Sequence, residues 1–273
     1  MAAALGARRA YERMLADRHW LYRPWLAVIK TAEAAAFGGL ELARPVLDLG
    51  CGDGVFTAAC FGRLEAGPDL AVGDLERAAG LGTHGLLVAG RSETLPFASG
   101  SFASVVSVCA LEHMSRLDDV LAEVSRVLKP GGRLAFSVPS THFAGLLFGP
   151  TLLRLAGLSG AARRYGEAKN RRSTHLHVLT PAQWAERLAR HGLVARRHAY
   201  LAPPALVLAW SFMCSTPFKL MFAPFRLARS RPPGVADRLL RRLLLPLGGW
   251  IERQCRPAAR GGYLLVVAEK CAC

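Results

Sequence analysis

Short apolar runs alternate with longer stretches of helical periodicity along this chain. Val46–Leu49, Leu70–Gly73, Leu86–Ala89, Arg133–Val138, Leu193–Leu201 and Gly262–Lys270 read as strands, several of them apolar enough to be buried on both faces. Between them, apolar residues recur at three- and four-residue spacing. Tyr11, Met14, Leu15, Trp20, Leu21, Trp25, Leu26, Val28 and Ile29 predict one or two helices over 7–37, broken at Pro24. Val120, Leu121, Val124, Val127 and Leu128 predict a helix over Asp118–Leu128, closed by Pro130-Gly131-Gly132. Thr180 before Pro181 is a helix start, with a side-chain cap and a pre-set φ; that helix reaches about His191 before Gly192 ends it. Another helix runs from about Gly54 to Leu64, and the glycines at 80, 82 and 85 shorten the one expected after the second strand. Strands alternating with helices place the chain in the α/β class, with a Rossmann-like, doubly wound sheet.

The first strand runs into the densest pattern in the sequence, Asp48-Leu49-Gly50-Cys51-Gly52-Asp53-Gly54. Glycine turns at a strand's end let backbone N–H groups approach a ligand closely, because no Cβ intervenes. The spacing differs from Gly-x-Gly-x-x-Gly, and an acidic residue precedes the first glycine. The pattern resembles motif I of class I S-adenosylmethionine (SAM) dependent methyltransferases. SAM has no phosphate and carries a sulfonium and an ammonium group, so a carboxylate near the turn is favourable.

Two later segments resemble the same family, in the family's order. Gly90-Arg91-Ser92-Glu93-Thr94-Leu95-Pro96-Phe97 is similar to its adenine-binding loop, with Arg91 where an Asp commonly contacts the adenine amino group. Ser101–Met114 is similar to its fourth-strand segment, ending in Leu111-Glu112-His113, with Ala103 replacing a frequent Asp. The likeness covers about residues 45–140 and is closest to type-11-like methyltransferase domains. It implies a seven-stranded sheet whose last strand is antiparallel. It implies a cofactor contact set of Asp48, Gly50, Cys51, Gly52, Gly54, Asp74, Leu75, Ser92, Glu93 and Cys109. Asp74, 20 residues beyond Gly54 and at the end of the expected second strand, is placed as the acid that accepts from both ribose hydroxyls. His113, just after the fourth strand, is a candidate general base; the alternative is that Glu112-His113 holds the following helix.

Composition changes the picture in the second half. Residues 1–140 hold 14 Lys/Arg against 15 Asp/Glu, and residues 141–273 hold 21 against 5, so the net charge of +15 belongs to the second half. Such asymmetry points to an anionic partner: nucleic acid, a phosphate-bearing substrate or a membrane surface. Two insertions interrupt the expected fold there, over 141–180 and 202–260, leaving a core of about 40–140, 181–201 and 261–270 within one domain over 1–273. The first insertion carries Arg163, Arg164, Lys169, Arg171, Arg172, His175 and His177. It reads either as an arginine-lined acceptor pocket or as a solvated basic loop. His175 and His177 alternate, so on an extended segment both face one side, and they are reserve candidates for the base. Residues 199–218 carry no charge, but Pro203, Pro204, Pro217 and Pro224 divide the run, which argues against a membrane span. Val235–Ile251 reads as a basic amphipathic helix, with Leu239, Leu240, Leu243, Leu244 and Leu247 on one side. It would either lie in an anionic membrane interface or pack as a helical cap on the catalytic domain.

Arg8, Arg9, Glu12 and Arg13 follow the first apolar residues at once, so no secretory leader is expected. Seven cysteines without metal-like spacing suggest free thiols in a reducing cytosol and no metal site, with Cys271 and Cys273 as incidental tail thiols. The expected function is SAM-dependent methyl transfer to a small or lipid-linked acceptor, glycosylated or anionic, by a cytoplasmic protein that can associate with membrane. Nucleic acid is the less favoured partner, since the fourth-strand region lacks an Asn/Asp-Pro-Pro-Tyr motif. An RNA methyltransferase and a non-catalytic SAM-binding scaffold are the alternatives.

Overall fold

The computed structural model describes residues 2–228, 232–256 and 258–272; Cys273, one of the tail thiols, lies outside them. The N-terminal segment forms α1 (Ala2–Ala16), α2 (Arg18–Leu21) and α3 (Pro24–Phe37). The Asp17 carboxylate caps α2 by accepting from the Trp20 N–H at 3.0 Å, and Pro24 opens α3 where a missing N–H costs nothing. Then come β1 (Val46–Asp48), α4 (Val55–Cys60), β2 (Leu64–Asp69), α5 (Val72–Leu81), β3 (His84–Ala89) and β4 (Phe102–Val108). A single 3-10 turn, Leu111–His113, precedes α6 (Leu117–Val127) and β5 (Leu128–Pro139).

The first insertion is helical: α7 (Phe143–Leu146), α8 (Phe148–Leu155) and α9 (Ser159–Arg172). After it come α10 (Pro181–Ala189), opened by the expected cap at Thr180, and β6 (Leu193–Leu201). The second insertion is α11 (Pro204–Met213), α12 (Thr216–Met221), α13 (Ala223–Ala228), α14 (Val235–Leu244) and α15 (Leu247–Gln254), and β7 (Tyr263–Lys270) closes the chain. Seven strands of the described residues form one sheet in the order β3-β2-β1-β4-β5-β7-β6. β7 is antiparallel to both neighbours and the other pairs are parallel, so the implied topology is present. Strand order reverses between β1 and β4, which opens a crevice at their C-terminal ends.

The second strand differs from expectation. Leu70–Gly73 is the loop and first turn entering α5, and the strand is the preceding Leu64–Asp69. Gly67 and Pro68 disguise it, since both are unusual inside a paired strand. Gly67 is required because a Cβ there would stand 2.7 Å from the His84 ring and 2.8 Å from Cys51 Sγ. Pro68 is tolerated because β1 pairs with β2 at Leu47 and Ala66, before Pro68 is reached; beyond it, the Pro68 carbonyl accepts from the Gly50 and Cys51 N–H groups instead. The helices on either side also differ. α4 stops at Cys60, and α5 runs ten residues rather than being cut short, because it begins before the glycines and ends at Gly82 in a left-handed cap.

One face of the sheet packs α6 and α10 around Trp184, Leu121 and Phe136. The other packs α3 and α4 through the Phe37, Phe56 and Phe61 rings. The second insertion does not lie on the sheet alone. Its α14 packs against the N-terminal helices: Leu240 and Leu244 are buried there, the Tyr11 hydroxyl donates to the Leu244 carbonyl at 3.2 Å, and Asp237 accepts from Tyr22 Oη at 2.7 Å and Arg18 Nε at 3.1 Å. Burial alone would raise the Asp237 carboxyl, but those hydrogen bonds outweigh it and hold it below its ordinary value. The leucines of α14 therefore divide between two sides, since Leu239 and Leu243 are 48% and 57% exposed. No helix of the described residues is long and apolar enough to cross a membrane.

Candidate cofactor and acceptor site

The glycine turn after β1 opens a cavity of about 500 Å3 in the crevice between β1 and β4. Gly50 adopts φ +73°, and a Cβ there would stand 2.6 Å from the Ala110 Cβ after β4. The turn is therefore closed by glycine on two counts, backbone conformation and contact. Asp48 sits at its base, 4% exposed, accepting from Thr57 Oγ1 at 2.5 Å and facing His84 Nε2 at 3.0 Å. The Thr83 hydroxyl holds the other nitrogen of that imidazole at 3.0 Å.

Of the implied contact residues, Asp48, Gly50, Cys51, Gly52, Ser92, Glu93 and Cys109 line this cavity. Gly54, Asp74 and Leu75 are not among its lining residues. Gly54 instead packs on α5, where a Cβ would meet Thr83 Oγ1 at 2.7 Å. Asp74 lies in the first turn of α5 and Leu75 is buried behind it. The shift of β2 explains this: the acid at the end of the true strand is Asp69. Its Oδ2 accepts from the Gly52 N–H at 2.8 Å and its Oδ1 from the Ala71 N–H at 2.9 Å. Each oxygen keeps a lone pair for a ligand hydroxyl. Leu70, next in the chain, is 66% exposed and lines the cavity. Burial and then the neighbouring Asp53 and Asp69 push the Asp74 carboxyl up.

Asp69, Leu70, Trp20 and Lys30 also line the cavity, although none of them was assigned a cofactor role from the sequence. Trp20 comes from α2, and its indole N–H donates to Asp53 Oδ2 at 3.1 Å, tying the N-terminal helices to the glycine turn. Lys30 comes from α3 and pairs with Glu33 Oε2 at 2.9 Å. Glu33 Oε1 in turn accepts from Cys109 Sγ at 3.0 Å and from the Ser137 hydroxyl. Burial alone would lower the Lys30 pKa, but the facing thiol and Glu33 carboxylate outweigh it and keep the ammonium charged. Arg91 turns to Glu93 at 3.1 Å, in the loop expected to cover the adenine.

Two of the three candidate bases, His113 and His175, meet at the cavity rim. His113 lines the cavity, and its Nδ1 lies 3.0 Å from the Thr174 carbonyl. His175 stands beside it with ring centroids 5.6 Å apart, and its pKa is lowered to about 4, first by burial and then by His113 and Lys169. His177 is held elsewhere, its Nε2–H donated to the Met114 carbonyl at 2.8 Å. Glu112 is buried next to His113, and burial pushes its carboxyl up to about 8.

The family model described as "Methyltransferase domain" matches residues 47–136, which span β1 to β5 and include the glycine turn and the turn bearing His113. The chain is 34% identical over 161 residues to an uncharacterised methyltransferase of Synechocystis, covering 52% of this chain and 75% of that one. The chain belongs to the class I SAM-dependent methyltransferases. It is also 42% identical over 99 residues to a malonyl-[acyl-carrier protein] O-methyltransferase of Methylococcus capsulatus, covering 34% of this chain and 36% of that enzyme. The chain spans about a third to three fifths of the length of the first curated relatives it matches. A SAM-dependent methyltransferase of Thermotoga maritima, described as a possible histamine N-methyltransferase, shares the fold, with a TM-score of 0.54 at 16% identity over 97% of this chain and 99% of that one.

SAM is the cofactor of this methyltransferase family, and the cavity residues fit it. The Asp69 oxygens suit the ribose diol, the Asp48 and Asp53 carboxylates suit a cationic sulfonium and ammonium, and the charged Lys30 suits the methionine carboxylate. The bare backbone at Gly50 lets the cofactor approach the turn.

Proposed function

We propose that this methyltransferase moves a methyl group to an oxygen of a small or lipid-linked acceptor that bears an anionic group. The observation that carries the reading is the meeting of Glu112, His113 and His175 at the rim of the cofactor cavity. SAM supplies an electrophilic methyl group on sulfur. Asp69 and the Gly50–Gly52 backbone orient the cofactor, Trp20 shields one side from water, and positioning contributes much of the rate. An acceptor hydroxyl must lose a proton as it is methylated. The Thr174 carbonyl fixes the His113 Nδ1–H, which leaves Nε2 with a lone pair to take that proton.

The anionic part of the acceptor is supported by α9. This helix carries exposed Arg163, Arg164, Arg171 and Arg172 and also the Asn170 side chain that holds His175, so the guanidinium forks share an element with a group that orients the rim cluster. An oxygen acceptor is supported by the name of the Methylococcus relative. The lipid-linked alternative is supported by α14, whose exposed Leu239 and Leu243 lie beside exposed Arg238 and Arg242, a face that suits an anionic lipid surface. The test is isothermal titration with SAM, followed by transfer of labelled methyl to hydroxy and carboxylic acids with and without acyl chains. Folded protein that binds no SAM would overturn the assignment.

A further inference from the structure

The rim cluster holds more than a base. The turn after β4 delivers Glu112 and His113, and the segment after α9 delivers His175. One ligand-type atom from each lies within 4.8 Å of the other two. His113 Nε2 is 3.8 Å from Glu112 Oε1. Glu112 is 1% exposed, and its Oε2 has no hydrogen-bond partner. Buried polar atoms are nearly always paired, and a bare carboxylate oxygen in an apolar site is costly.

Both imidazoles are clamped at Nδ1. His113 Nδ1 is held by the Thr174 carbonyl at 3.0 Å, and His175 Nδ1 by Asn170 Oδ1 at 3.3 Å. With Nδ1–H donated to an oxygen, each Nε2 keeps its lone pair; this outer-shell arrangement orients histidines on metal ions. Phe143 packs edge-on against the His175 ring at 5.4 Å and fixes its plane. The two clamping groups sit at the end of α9 and in the turn that follows it, so the acceptor-side insertion sets the geometry.

We propose that Glu112, His113 and His175 bind a divalent transition-metal cation, with coordination positions left open toward the cofactor cavity. Two imidazoles and one carboxylate suit zinc, iron, cobalt or manganese; calcium and magnesium prefer all-oxygen sets. Three protein ligands leave room for a substrate atom, the arrangement of catalytic rather than structural sites. The last step rests on the O-methyl transfer reading. An acceptor hydroxyl or carboxylate takes an open position and loses any proton to solvent. The new C–O bond then forms as the C–S bond breaks, and the electron pair leaves on sulfur. The ion thus takes over from His113 the task of lowering the hydroxyl's proton affinity.

The test is titration of the full chain with Co2+, read by visible d–d absorption, alongside SAM calorimetry. The expected result is one Co2+ per chain without thiolate-to-cobalt charge transfer, and binding at least about tenfold weaker in both His175→Gln and Glu112→Gln. SAM affinity should be retained in His175→Gln, because His175 is not a lining residue of the cofactor cavity. Two variants at different elements guard against one failing to fold, with circular dichroism as the check. Failure of folded, SAM-binding protein to take up Co2+ overturns the proposal, as does uptake undiminished in both variants. Failure to bind SAM is read separately and bears on the methyl-transfer reading.

Discussion

Replacing Asp69 with Ala is the sharpest probe of the cofactor site. Each Asp69 oxygen already accepts one backbone N–H, from Gly52 at 2.8 Å and from Ala71 at 2.9 Å, and has a lone pair left for a ribose hydroxyl. Hydrogen bonds to a charged acceptor contribute about 1.5–3 kcal/mol each, so losing two costs about 3 kcal/mol or more. That corresponds to SAM binding weaker by on the order of 100-fold or more. The substitution also releases the Gly52 N–H that the carboxylate holds in the turn, which adds to the loss. Asp69→Asn keeps one acceptor oxygen and one backbone bond, and its loss should be nearer to about tenfold. Asp74 is the matched control. It lies one helical turn further on, outside the lining residues, and Asp74→Ala removes a carboxylate whose neighbours Asp53 and Asp69 repel it. SAM affinity should stay within about threefold in that variant, a change of under 1 kcal/mol. Isothermal titration of the three variants decides the matter. Equal damage from Asp69→Ala and Asp74→Ala, or greater damage from Asp74→Ala, would refute the placement of the ribose at the end of β2.

Other expectations follow from the packing and charges. Asp237→Ala leaves the Tyr22 hydroxyl and Arg18 without their shared acceptor, and should lower unfolding stability by about 1–3 kcal/mol in chemical denaturation. Asp118 accepts from Arg187 at 2.8 and 2.7 Å and lies 3.2 Å from His191 Nε2, and chiefly the Arg187 bonds hold its carboxyl well below the usual carboxylate range. A carboxyl lowered in the folded state stabilises the protein above its unfolded pKa of about 3.9, and the contribution is lost as pH falls from there toward the folded value. Since Asp118 is 49% exposed, Asp118→Ala should cost only about 1 kcal/mol near neutrality and flatten the melting-temperature profile in acid. The exposed face of α14 should bind anionic but not neutral vesicles, weakening with salt; a Leu239→Asp/Leu243→Asp double variant that sediments with vesicles as well as the parent would refute this.

The fold was legible where one residue type does one job. Asp48–Gly54 could be read because alternating glycines after an apolar strand have few other uses, and Thr180-Pro181 because a cap and a pre-set φ are local chemistry. β2 was not, because its determinants are tertiary. Gly67 is there to make room for His84 and Cys51, and Pro68 sits where its carbonyl rather than an N–H is needed. Meanwhile Leu70 and Val72 imitate a buried strand while being 66% and 56% exposed, Leu70 because it faces the cofactor cavity. An apolar residue kept for a ligand cannot be told by composition from one kept for the core, and that ambiguity moved the acid from Asp69 to Asp74.

The acceptor side shows the same limit in another form. His113 was visible from its place after β4, and His175 from its alternation with His177, but their meeting depends on how the first insertion folds back. Leu176 N–H donates to the Glu112 carbonyl at 2.8 Å, and Thr174 turns the chain at φ +53°. Those two backbone features bring together side chains 62 residues apart and leave Glu112 between them with a bare oxygen. Glu112 could be read as an acid that merely holds the next helix, since in isolation Glu-His after a strand has that role open to it. Its burial beside two clamped imidazoles gives it a different one. A carboxylate needed only to hold α6 would be expected to bond to that helix, yet Oε2 has no hydrogen-bond partner and Oε1 lies 3.8 Å from His113 Nε2. The insertion after β5, which lies beyond the matched residues 47–136, is thus also the part that supplies His175 and both clamping groups to the rim of the core.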